Sequence, residues 1–296
     1  MAKPLFRGAA VALVTPFTNG KVDFEALRKL TRMQLEAGTA AIVVCGTTGE
    51  PATMSKEEKV QVIREVVDEV NGKIPVICGT GSNCTASVVE TEKLYRDLGC
   101  DAQLVVTPYY NKTTQEGLYA HFMHIAENTE LPIILYNVPS RTALDIAPET
   151  LDRLAACDRF IGLKESSYDL PKVMEKMAVL DGRLALYSGN DDMVYSLLGI
   201  NFDGVISVVS NILPSAMNNI CNSYFAGDHA ASLKEQTRIL PLARALFNEV
   251  SPIPVKYAAE QLGLCSGELR LPLIPAGEKT REMMLKALNG LGMLKA

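Results

Sequence analysis

Lys164 is the residue of this sequence whose type and position best suit covalent chemistry. It comes directly after the apolar run Phe160–Leu163, within the segment Arg-Phe-Ile-Gly-Leu-Lys-Glu-Ser-Ser. An amine at the end of a buried strand is poorly hydrated, which disfavours the ammonium form and leaves a free amine that can attack a carbonyl. The alternative is a lysine that reaches solvent from the strand end and pairs with Glu165. Polar groups elsewhere in the chain decide between these two interpretations.

Two further segments carry groups that suit a small carboxylate. The run Gly46-Thr47-Thr48-Gly49 supplies turn amides and two hydroxyls, which can hold a carboxylate without a full positive charge. An ordinary turn between a strand and a helix is the alternative. Arg141 can hold a carboxylate through two parallel hydrogen bonds, or it can form a surface ion pair. Both segments directly follow apolar runs.

Two tyrosines occupy the same kind of position. Tyr110 and Tyr136 each stand at or just after the end of an apolar run. A positioned phenol can transfer protons during a reaction. Alternatively, each ring packs over the end of the sheet and leaves its hydroxyl in water.

Eight short apolar, β-rich runs alternate with segments of helical periodicity. Nearly continuous hydrophobicity is typical of strands buried on both faces, as in a parallel sheet covered by helices. Eight such strands favour an α/β fold of the (β/α)8 TIM-barrel type over an open doubly wound sheet, which more often has fewer. The predicted strands are Ala9–Val14, Ala40–Val44, Pro75–Cys78, Ala102–Val106, Pro132–Tyr136, Phe160–Leu163, Leu184–Tyr187 and Gly204–Val208. In such a barrel the residues that follow the strands meet at one face, so the candidates above are expected to converge.

Helical patterns continue after the last predicted strand. The predicted helices include Asp191–Leu198 within the barrel and His229–Val250 beyond it. No linker or low-complexity tract separates the two parts. We therefore predict a barrel catalytic domain over residues 1–226 and a C-terminal α-helical extension over residues 227–296, packed on the barrel.

Composition argues against several classes of protein. The net charge of −5 and the pI of about 5.4 disfavour a nucleic-acid-binding surface. No apolar run approaches the ~18–20 residues of a membrane span, and the first residues lack the apolar stretch of a signal peptide. The seven cysteines, an odd number without a Cys-x-x-Cys pair, indicate free thiols in a reducing compartment. We expect a cytoplasmic protein with neither nucleic-acid nor membrane partners.

No metal and no organic cofactor are expected. His121 and His124 lie three residues apart on a predicted helix, and an exposed helix face is the expectation there, since a catalytic zinc needs three protein ligands. The run Gly79–Gly81 has the glycine spacing that begins a dinucleotide fingerprint. Cys84 stands where the third glycine would be, so the signal for NAD binding is weak.

Three motifs together resemble the dihydrodipicolinate synthase and N-acetylneuraminate lyase family of class I aldolases. They are Gly46–Glu50, Tyr136–Thr142 and Gly162–Glu165, and the similarity extends over essentially the whole chain. Two features resemble the synthase branch in particular. Thr107–Tyr110 contains the tyrosine of a synthase proton relay, and Ser140–Thr142 contains the arginine that receives the carboxylate of an aldehyde substrate.

The resemblance implies a Schiff base between Lys164 and pyruvate. The enamine that forms from it would attack L-aspartate-4-semialdehyde and give 4-hydroxy-tetrahydrodipicolinate, on the route to diaminopimelate and lysine. Thr47 and Thr48 would hold the pyruvate carboxylate. Tyr136, Thr48 and Tyr110 would relay protons.

The resemblance also implies the rest of the site and its assembly. Arg141 would orient the second substrate, and Gly189 with the carbonyl of Ile206 would complete the pocket. Tyr110 would reach in from a neighbouring subunit, within a homotetramer built as a dimer of dimers. No cofactor is needed.

Lysine-sensitive relatives bind the end product at a subunit interface, and the corresponding residues differ here. Asn83 and Tyr109 are retained. Lys56 and Lys59 stand where the best-known pattern has histidines, and Ser87 stands where it has a glutamate. The resemblance therefore implies a vestigial effector site and weak or absent inhibition by L-lysine.

Two other functions remain open at this point. A sister aldolase, such as N-acetylneuraminate lyase or a 2-keto-3-deoxy sugar acid aldolase, would keep Lys164 and Tyr136 but would not need Tyr110 and Arg141 together. A non-catalytic barrel that binds a small acid is the alternative from another class, because a fold does not by itself imply a reaction.

Overall fold

The computed structural model describes residues 3–294 and contains a closed barrel of eight parallel strands. Each strand pairs with its neighbours in chain order, and the first strand also pairs with the eighth, which closes the barrel. The strands are β1 Gly8–Ala12, β2 Ala41–Val44, β3 Val76–Gly79, β4 Ala102–Val106, β5 Ile133–Asn137, β6 Phe160–Glu165, β7 Ala185–Ser188 and β8 Gly204–Ser207. The predicted barrel is confirmed.

Helices cover the outside of the barrel and continue beyond it. They are α1 Phe24–Glu36, α2 Lys56–Val70, α3 Thr85–Arg96, α4 Gln115–Asn128, α5 Pro139–Thr142, α6 Pro148–Leu154, α7 Leu170–Leu180, α8 Val194–Leu198, α9 Pro214–Phe225, α10 His229–Ala245, α11 Ile253–Gln261 and α12 Glu278–Gly290. A hairpin of two short strands, Phe17–Thr18 and Lys21–Val22, follows β1. Ser55 caps α2 and forms the reciprocal capping box with Glu58 that its sequence indicates.

Alternation along the strands divides the core into an inner and an outer layer. In β5, Ile134 and Tyr136 belong to the apolar cluster inside the barrel, whereas Ile133 and Leu135 belong to a cluster under the helices. The amino end of the barrel is filled by Phe6, whose ring stacks on that of Tyr187 with 4.2 Å between centroids. Both faces of the strands are therefore buried, which explains their continuous hydrophobicity.

The C-terminal helices pack on the same core as the first elements of the chain. Buried residues of α10, α11 and α12, including Leu242, Ala258 and Met284, share one apolar cluster with residues of β1 and α1. Arg270 reaches the first turn of α2, where its guanidinium contacts Glu58 at 2.5 Å. The boundary between residues 226 and 227 remains a prediction, because apolar contacts run continuously across it.

Some element bounds differ from the predicted ones. β6 runs through Glu165, so Lys164 lies within the strand and not after it. α8 begins at Val194 because the Asp191 carboxylate instead accepts hydrogen bonds from the backbone of the loop after β8. α10 ends at Ala245 and not at Val250. Within residues 3–294, no helix is both long and apolar enough to cross a membrane.

Candidate active site

The Lys164 side chain lies at the carboxyl end of the barrel and is only 6% exposed. Its Nζ lies 4.4 Å from the centroid of the Tyr136 ring. Tyr136 and Lys164 are paired in register on β5 and β6, so both side chains face the barrel interior. Within the described residues, the Lys164 amine forms neither an ion pair nor a side-chain hydrogen bond. A buried amine without a carboxylate partner is a suitable nucleophile for a carbonyl.

Glu165 does not pair with Lys164, contrary to the alternative considered from the sequence. Successive side chains of a strand point to opposite faces, so Glu165 faces the helices. Its carboxylate accepts a hydrogen bond from Lys176 on α7 at 2.8 Å. Lys164 is therefore left free.

Gly189 keeps room for the Lys164 side chain. A Cβ at this position would lie 3.1 Å from Lys164 Cε and 1.8 Å from Ser166 Oγ, so no other residue fits without displacement. The Gly189 amide donates to the carbonyl of Glu165 at 2.7 Å, which attaches the end of β7 to the end of β6. Ile206 lies in β8 and is fully buried.

The threonine turn follows β2 as a short 3₁₀ segment, Thr47–Gly49. Thr48 is buried and Thr47 is exposed. The next residue, Glu50, adopts a left-handed conformation with φ 53°. Its carboxylate pairs with the Lys256 amine at 2.6 Å and accepts the backbone N–H of Arg270 at 3.2 Å. The C-terminal extension therefore contacts the threonine turn through Glu50, the residue that follows it.

A cavity of about 540 Å³ opens beside these groups. Its walls include Thr47, Tyr136 and Arg141, three of the predicted substrate-site residues. Arg141 Nη2 donates to the carbonyl of Ser251 at 3.0 Å, which leaves the rest of the guanidinium available to a ligand. The cavity therefore joins a phenol, a hydroxyl and a cation beside the Lys164 amine.

Tyr110 is not part of this arrangement within one chain. Its side chain is 92% exposed, it adopts a left-handed conformation with φ 68°, and it does not line the cavity. A left-handed conformation is unusual for an aromatic residue.

The predicted effector residues are only partly brought together. Lys59, Ser87 and Tyr109 line the same cavity as Tyr136. Asn83 does not line it, and its carbonyl accepts a hydrogen bond from Asn111 at 2.9 Å. Lys56 is the first residue of α2, is exposed, and lies on a separate surface depression.

The expectation of an exposed face at His121 was wrong. His121 is 7% exposed, its Nδ1 is hydrogen-bonded to the Thr85 hydroxyl at 2.9 Å, and only His124 faces solvent. Burial, with a smaller contribution from His124, lowers the pKa of His121 to about 4, so the ring is neutral. Within residues 3–294, no group of three or more His, Cys, Asp or Glu side chains is placed to hold a metal ion.

The Cys45 thiol beside the threonine turn is buried, and burial raises its pKa to about 12. The thiolate is the reactive form of cysteine, so Cys45 is inert at neutral pH. Its left-handed backbone, with φ 54°, redirects the chain into the turn.

Asp191 is a buried group near Lys164 to which the sequence assigned no role. Its carboxylate accepts the N–H groups of Val208 and Val209, each at 2.9 Å. Burial raises the pKa of Asp191, and the two backbone bonds and the charge of Lys164 oppose the rise without cancelling it. Its place in the segment that follows the seventh predicted strand was the available signal.

Comparison with known proteins gives a consistent result. The Dihydrodipicolinate synthetase family matches residues 5–291. The 4-hydroxy-tetrahydrodipicolinate synthase of Thermoanaerobacter sp. (strain X514) is 46% identical over 293 residues, which cover 99% of each chain. The crystal structure of dihydrodipicolinate synthase from Thermotoga maritima is 44% identical with a TM-score of 0.96, covering 98% of this chain and 100% of its own.

A further similar structure contains a bound small molecule. The chloride-inhibited dihydrodipicolinate synthase of Acinetobacter baumannii, solved in complex with pyruvate, is 45% identical with a TM-score of 0.94. The match covers 97% of this chain and 99% of that one.

Proposed function

Because the chain belongs to the dihydrodipicolinate synthetase family, we propose that it is a Schiff-base-forming lyase of the class I aldolase type. It condenses pyruvate with L-aspartate-4-semialdehyde to give 4-hydroxy-tetrahydrodipicolinate, which feeds diaminopimelate and lysine biosynthesis. This is the reaction for which its curated relatives are named, at 46% identity and nearly full coverage.

One observation carries the proposal. The Lys164 amine is buried, forms no ion pair among the described residues, and lies beside the Tyr136 ring at the carboxyl end of the barrel. A neutral amine there attacks the keto carbon of pyruvate, a C–N bond forms, and the oxygen leaves as water. Loss of a methyl proton then gives the enamine, with the protonated imine as the electron acceptor.

The carbon–carbon bond forms next. The enamine carbon attacks the aldehyde carbon of the semialdehyde, and the aldehyde oxygen takes up a proton. The amino group of the second substrate then displaces the Lys164 amine from the imine carbon, which closes the ring and frees the enzyme. Every step is a proton transfer or a nucleophilic attack, so positioned hydroxyls can assist throughout.

We assign the other residues by the position of each. Thr47 and Thr48 receive the pyruvate carboxylate. Their turn is joined to the C-terminal extension by the pair of Glu50 with Lys256. Tyr136, within reach of the Lys164 amine, transfers protons to and from the imine. Arg141 receives the carboxylate of the semialdehyde from the cavity wall.

Gly189 and the carbonyl of Ile206 complete the floor of the pocket, the first because its lack of a side chain leaves space beside Lys164. Tyr110 completes the proton relay together with Thr48 and Tyr136, and it does so in a neighbouring subunit. Its 92% exposure within one chain supports that assignment. The assembly is proposed to be a homotetramer, a dimer of dimers in which each tight dimer exchanges this tyrosine.

A cytoplasmic location is proposed on the cysteine chemistry. All seven cysteines are free thiols. Thiols persist in a reducing compartment such as the cytoplasm, whereas disulfides form in an oxidising one.

Borohydride reduction after incubation with pyruvate tests the proposal. We expect one pyruvate-derived adduct, located on Lys164 by peptide mass spectrometry. Lys59 provides the internal control, because it is a lysine on the wall of the cavity beside Tyr136. An adduct on Lys59 and not on Lys164 would overturn the assignment.

A steady-state assay distinguishes the reactions. Turnover of pyruvate with L-aspartate-4-semialdehyde, measured beside N-acetylneuraminate cleavage, separates the proposed synthase from a sister aldolase. Imine formation without turnover of either substrate would indicate a binding protein.

A further inference from the structure

We propose that a buried ionic cluster outside the barrel wall positions Lys164 and Tyr136 for imine formation, with Lys176 as its central residue. The inference rests on the proposed function, because it concerns the rate at which the Lys164 amine attacks pyruvate. The cluster, called the Lys176 cluster below, consists of Asn137, Asp145, Glu165, Lys172 and Lys176.

Strand alternation places the cluster directly behind the reacting groups. Tyr136 and Lys164 are paired across β5 and β6, and the next pair is Asn137 and Glu165. Because successive side chains point to opposite faces, the first pair faces the barrel interior and the second faces the helices. Each residue of the outer pair is joined to its inner neighbour by one peptide unit. A shift of the outer pair therefore also displaces the inner pair.

Hydrogen bonds join the two strand ends on this outer face. Asn137 Nδ2 donates to Glu165 Oε1 at 2.9 Å and to Asp145 Oδ1 at 2.7 Å. Lys176 Nζ donates to Glu165 Oε2 at 2.8 Å and to Asp145 Oδ1 at 2.7 Å. Lys176 thus bridges two carboxylates that belong to different segments.

The centre of the cluster is buried, and the cluster as a whole is balanced in charge. The side chains of Lys176 and Glu165 are 2% and 1% exposed. Lys172 supplies the second ammonium group, 2.7 Å from Asp145 Oδ2, so two cations face two carboxylates. Burial raises the pKa of Asp145, but the hydrogen bonds from Lys172 and Lys176 outweigh it and leave the pKa below its usual value.

Glu165 also connects the cluster to the backbone above Lys164. Its side chain accepts the N–H of Ser167 at 2.8 Å, and its carbonyl accepts the N–H of Gly189 at 2.7 Å. Gly189 is the residue whose missing side chain leaves space for Lys164 Cε. Glu165 therefore holds the backbone at Ser167 through its carboxylate and the backbone at Gly189 through its carbonyl, and it is the residue next to Lys164 in the strand.

Stability alone does not account for this arrangement. Burying charges carries a desolvation penalty, and an apolar set of similar volume is often as stable or more stable. Directional bonds between charged groups, however, restrict the positions of the atoms they join. Reaction rates are sensitive to displacements on the scale of 1 Å, so a positioning role explains the charged residues.

Lys176→Met tests the inference, since it retains the length of the side chain and removes the ammonium group. The measurement is the rate of borohydride-trapped imine at saturating pyruvate, together with the pyruvate concentration that gives half of that rate. We expect the saturated rate to fall roughly 10–100-fold, because the Lys164 amine is misplaced. The half-saturating concentration should change far less, because the threonine turn belongs to β2 on another part of the barrel.

Leu180→Ala is the matched control, because Leu180 lies on the same helix, is 1% exposed and is outside the cluster. A cavity in the core lowers thermal stability without touching Glu165. We expect a lower melting temperature and an imine rate close to that of the wild type. An equal loss of rate in Leu180→Ala and Lys176→Met would overturn the inference, because destabilisation would then explain both.

Two further results separate this inference from the proposed function. A wild-type protein that forms no adduct on Lys164 overturns the proposed function, and the inference with it. A normal adduct with an unchanged rate in Lys176→Met overturns the inference alone. If Lys176→Met does not fold, Glu165→Gln decides, since it retains the shape and one acceptor oxygen; a slower imine rate supports the inference, and an unchanged rate overturns it.

Discussion

Tyr110 is the one residue of the proposed relay that a single chain leaves in solvent, with 92% of its side chain exposed. The other relay residues are buried at the carboxyl end of the barrel. A hydroxyl that acts only during proton transfer contributes to turnover and little to ground-state binding. A substitution at Tyr110 is therefore expected to change turnover without disturbing the packing of the barrel.

Tyr110→Phe is expected to lower kcat by roughly 10²–10⁴-fold. The half-saturating pyruvate concentration for imine trapping should remain close to that of the wild type. Steady-state kinetics and trapping on the same preparation measure the two quantities. Tyr168→Phe is the control, because Tyr168 is an exposed tyrosine whose hydroxyl donates to Asp192. Equal turnover in the two variants would remove Tyr110 from the mechanism.

At the level of elements, His121 joins α4 to the start of α3 through Thr85. The ring is neutral in the folded protein, with a pKa of about 4, whereas an unfolded histidine titrates near 6.5. Below pH ~6.5 the unfolded chain therefore binds a proton that the folded chain does not. The contribution of this histidine to the free energy of unfolding is therefore fully present above pH ~6.5 and is lost as the pH falls toward 4.

The free energy of unfolding should accordingly fall between pH ~6.5 and ~4 by up to about 1.4 kcal/mol per unit from this histidine. Denaturant titrations at several pH values measure the slope. In His121→Gln the slope should be shallower than in the wild type. His124→Gln should retain the wild-type slope, since His124 is exposed on the same helix. Parallel curves for His121→Gln and the wild type would contradict the assignment.

The link between the extension and the threonine turn depends on a second buried ion pair. Lys256 is fully buried, pairs with Glu50 at 2.6 Å, and places its amine 4.0 Å from the centroid of the Phe17 ring. Burial lowers the pKa of Lys256, and the Glu50 carboxylate opposes that effect. Removing one partner of such a pair leaves an uncompensated charge in the interior.

Lys256→Met should therefore lower the free energy of unfolding by about 3–5 kcal/mol. Lys279→Met, at an exposed position on α12, should change it by no more than about 0.5 kcal/mol. Urea unfolding of both variants provides the measurement. Similar stability in the two would mean that Glu50 is held by other groups.

At the scale of the whole molecule, the proposed relay is complete only between chains. Closed symmetric assembly is the common solution for soluble oligomers. We expect a homotetramer that dissociates no further than dimers while it remains active. Sedimentation at the assay concentration, run with activity measurements, tests this. A fully active monomer would refute the exchange of Tyr110, whereas an active dimer would contradict only the tetramer.

We also expect weak or absent inhibition by L-lysine. Of the two lysines at the predicted effector positions, only one lines the cavity. Lys59 and Ser87 line the cavity, whereas Lys56 does not. A bound lysine would meet the Lys59 ammonium and would lack a carboxylate at position 87. At separations of ~4–6 Å and an effective dielectric of ~20, each such difference is on the order of a few kcal/mol.

An inhibition curve with L-lysine up to millimolar concentration measures this, beside a Lys59→Gln variant. Removing the cation should make inhibition detectable at lower concentrations of lysine than in the wild type. Potent, saturable inhibition of the wild type would show that Lys59 does not face the bound effector.

The sequence by itself determined the architecture and supplied the candidate residues for the reaction. Continuous apolar runs mark strands buried on both faces, and their number indicates a closed barrel. In that fold the ends of the strands meet, so Lys164, Tyr136, Thr47 and Arg141 were expected together from local signals alone. The structure brings the last three to one cavity beside the first.

Only the tertiary structure decided which charged side chains pair and which remain free. Glu165 follows Lys164 in sequence yet pairs with Lys176, and Glu50 pairs with Lys256, more than two hundred residues away. His121 is buried although its helix carries polar residues around it. The physical reason is that hydrophobic periodicity is local, whereas the partner of a charge depends on how distant helices pack over the barrel.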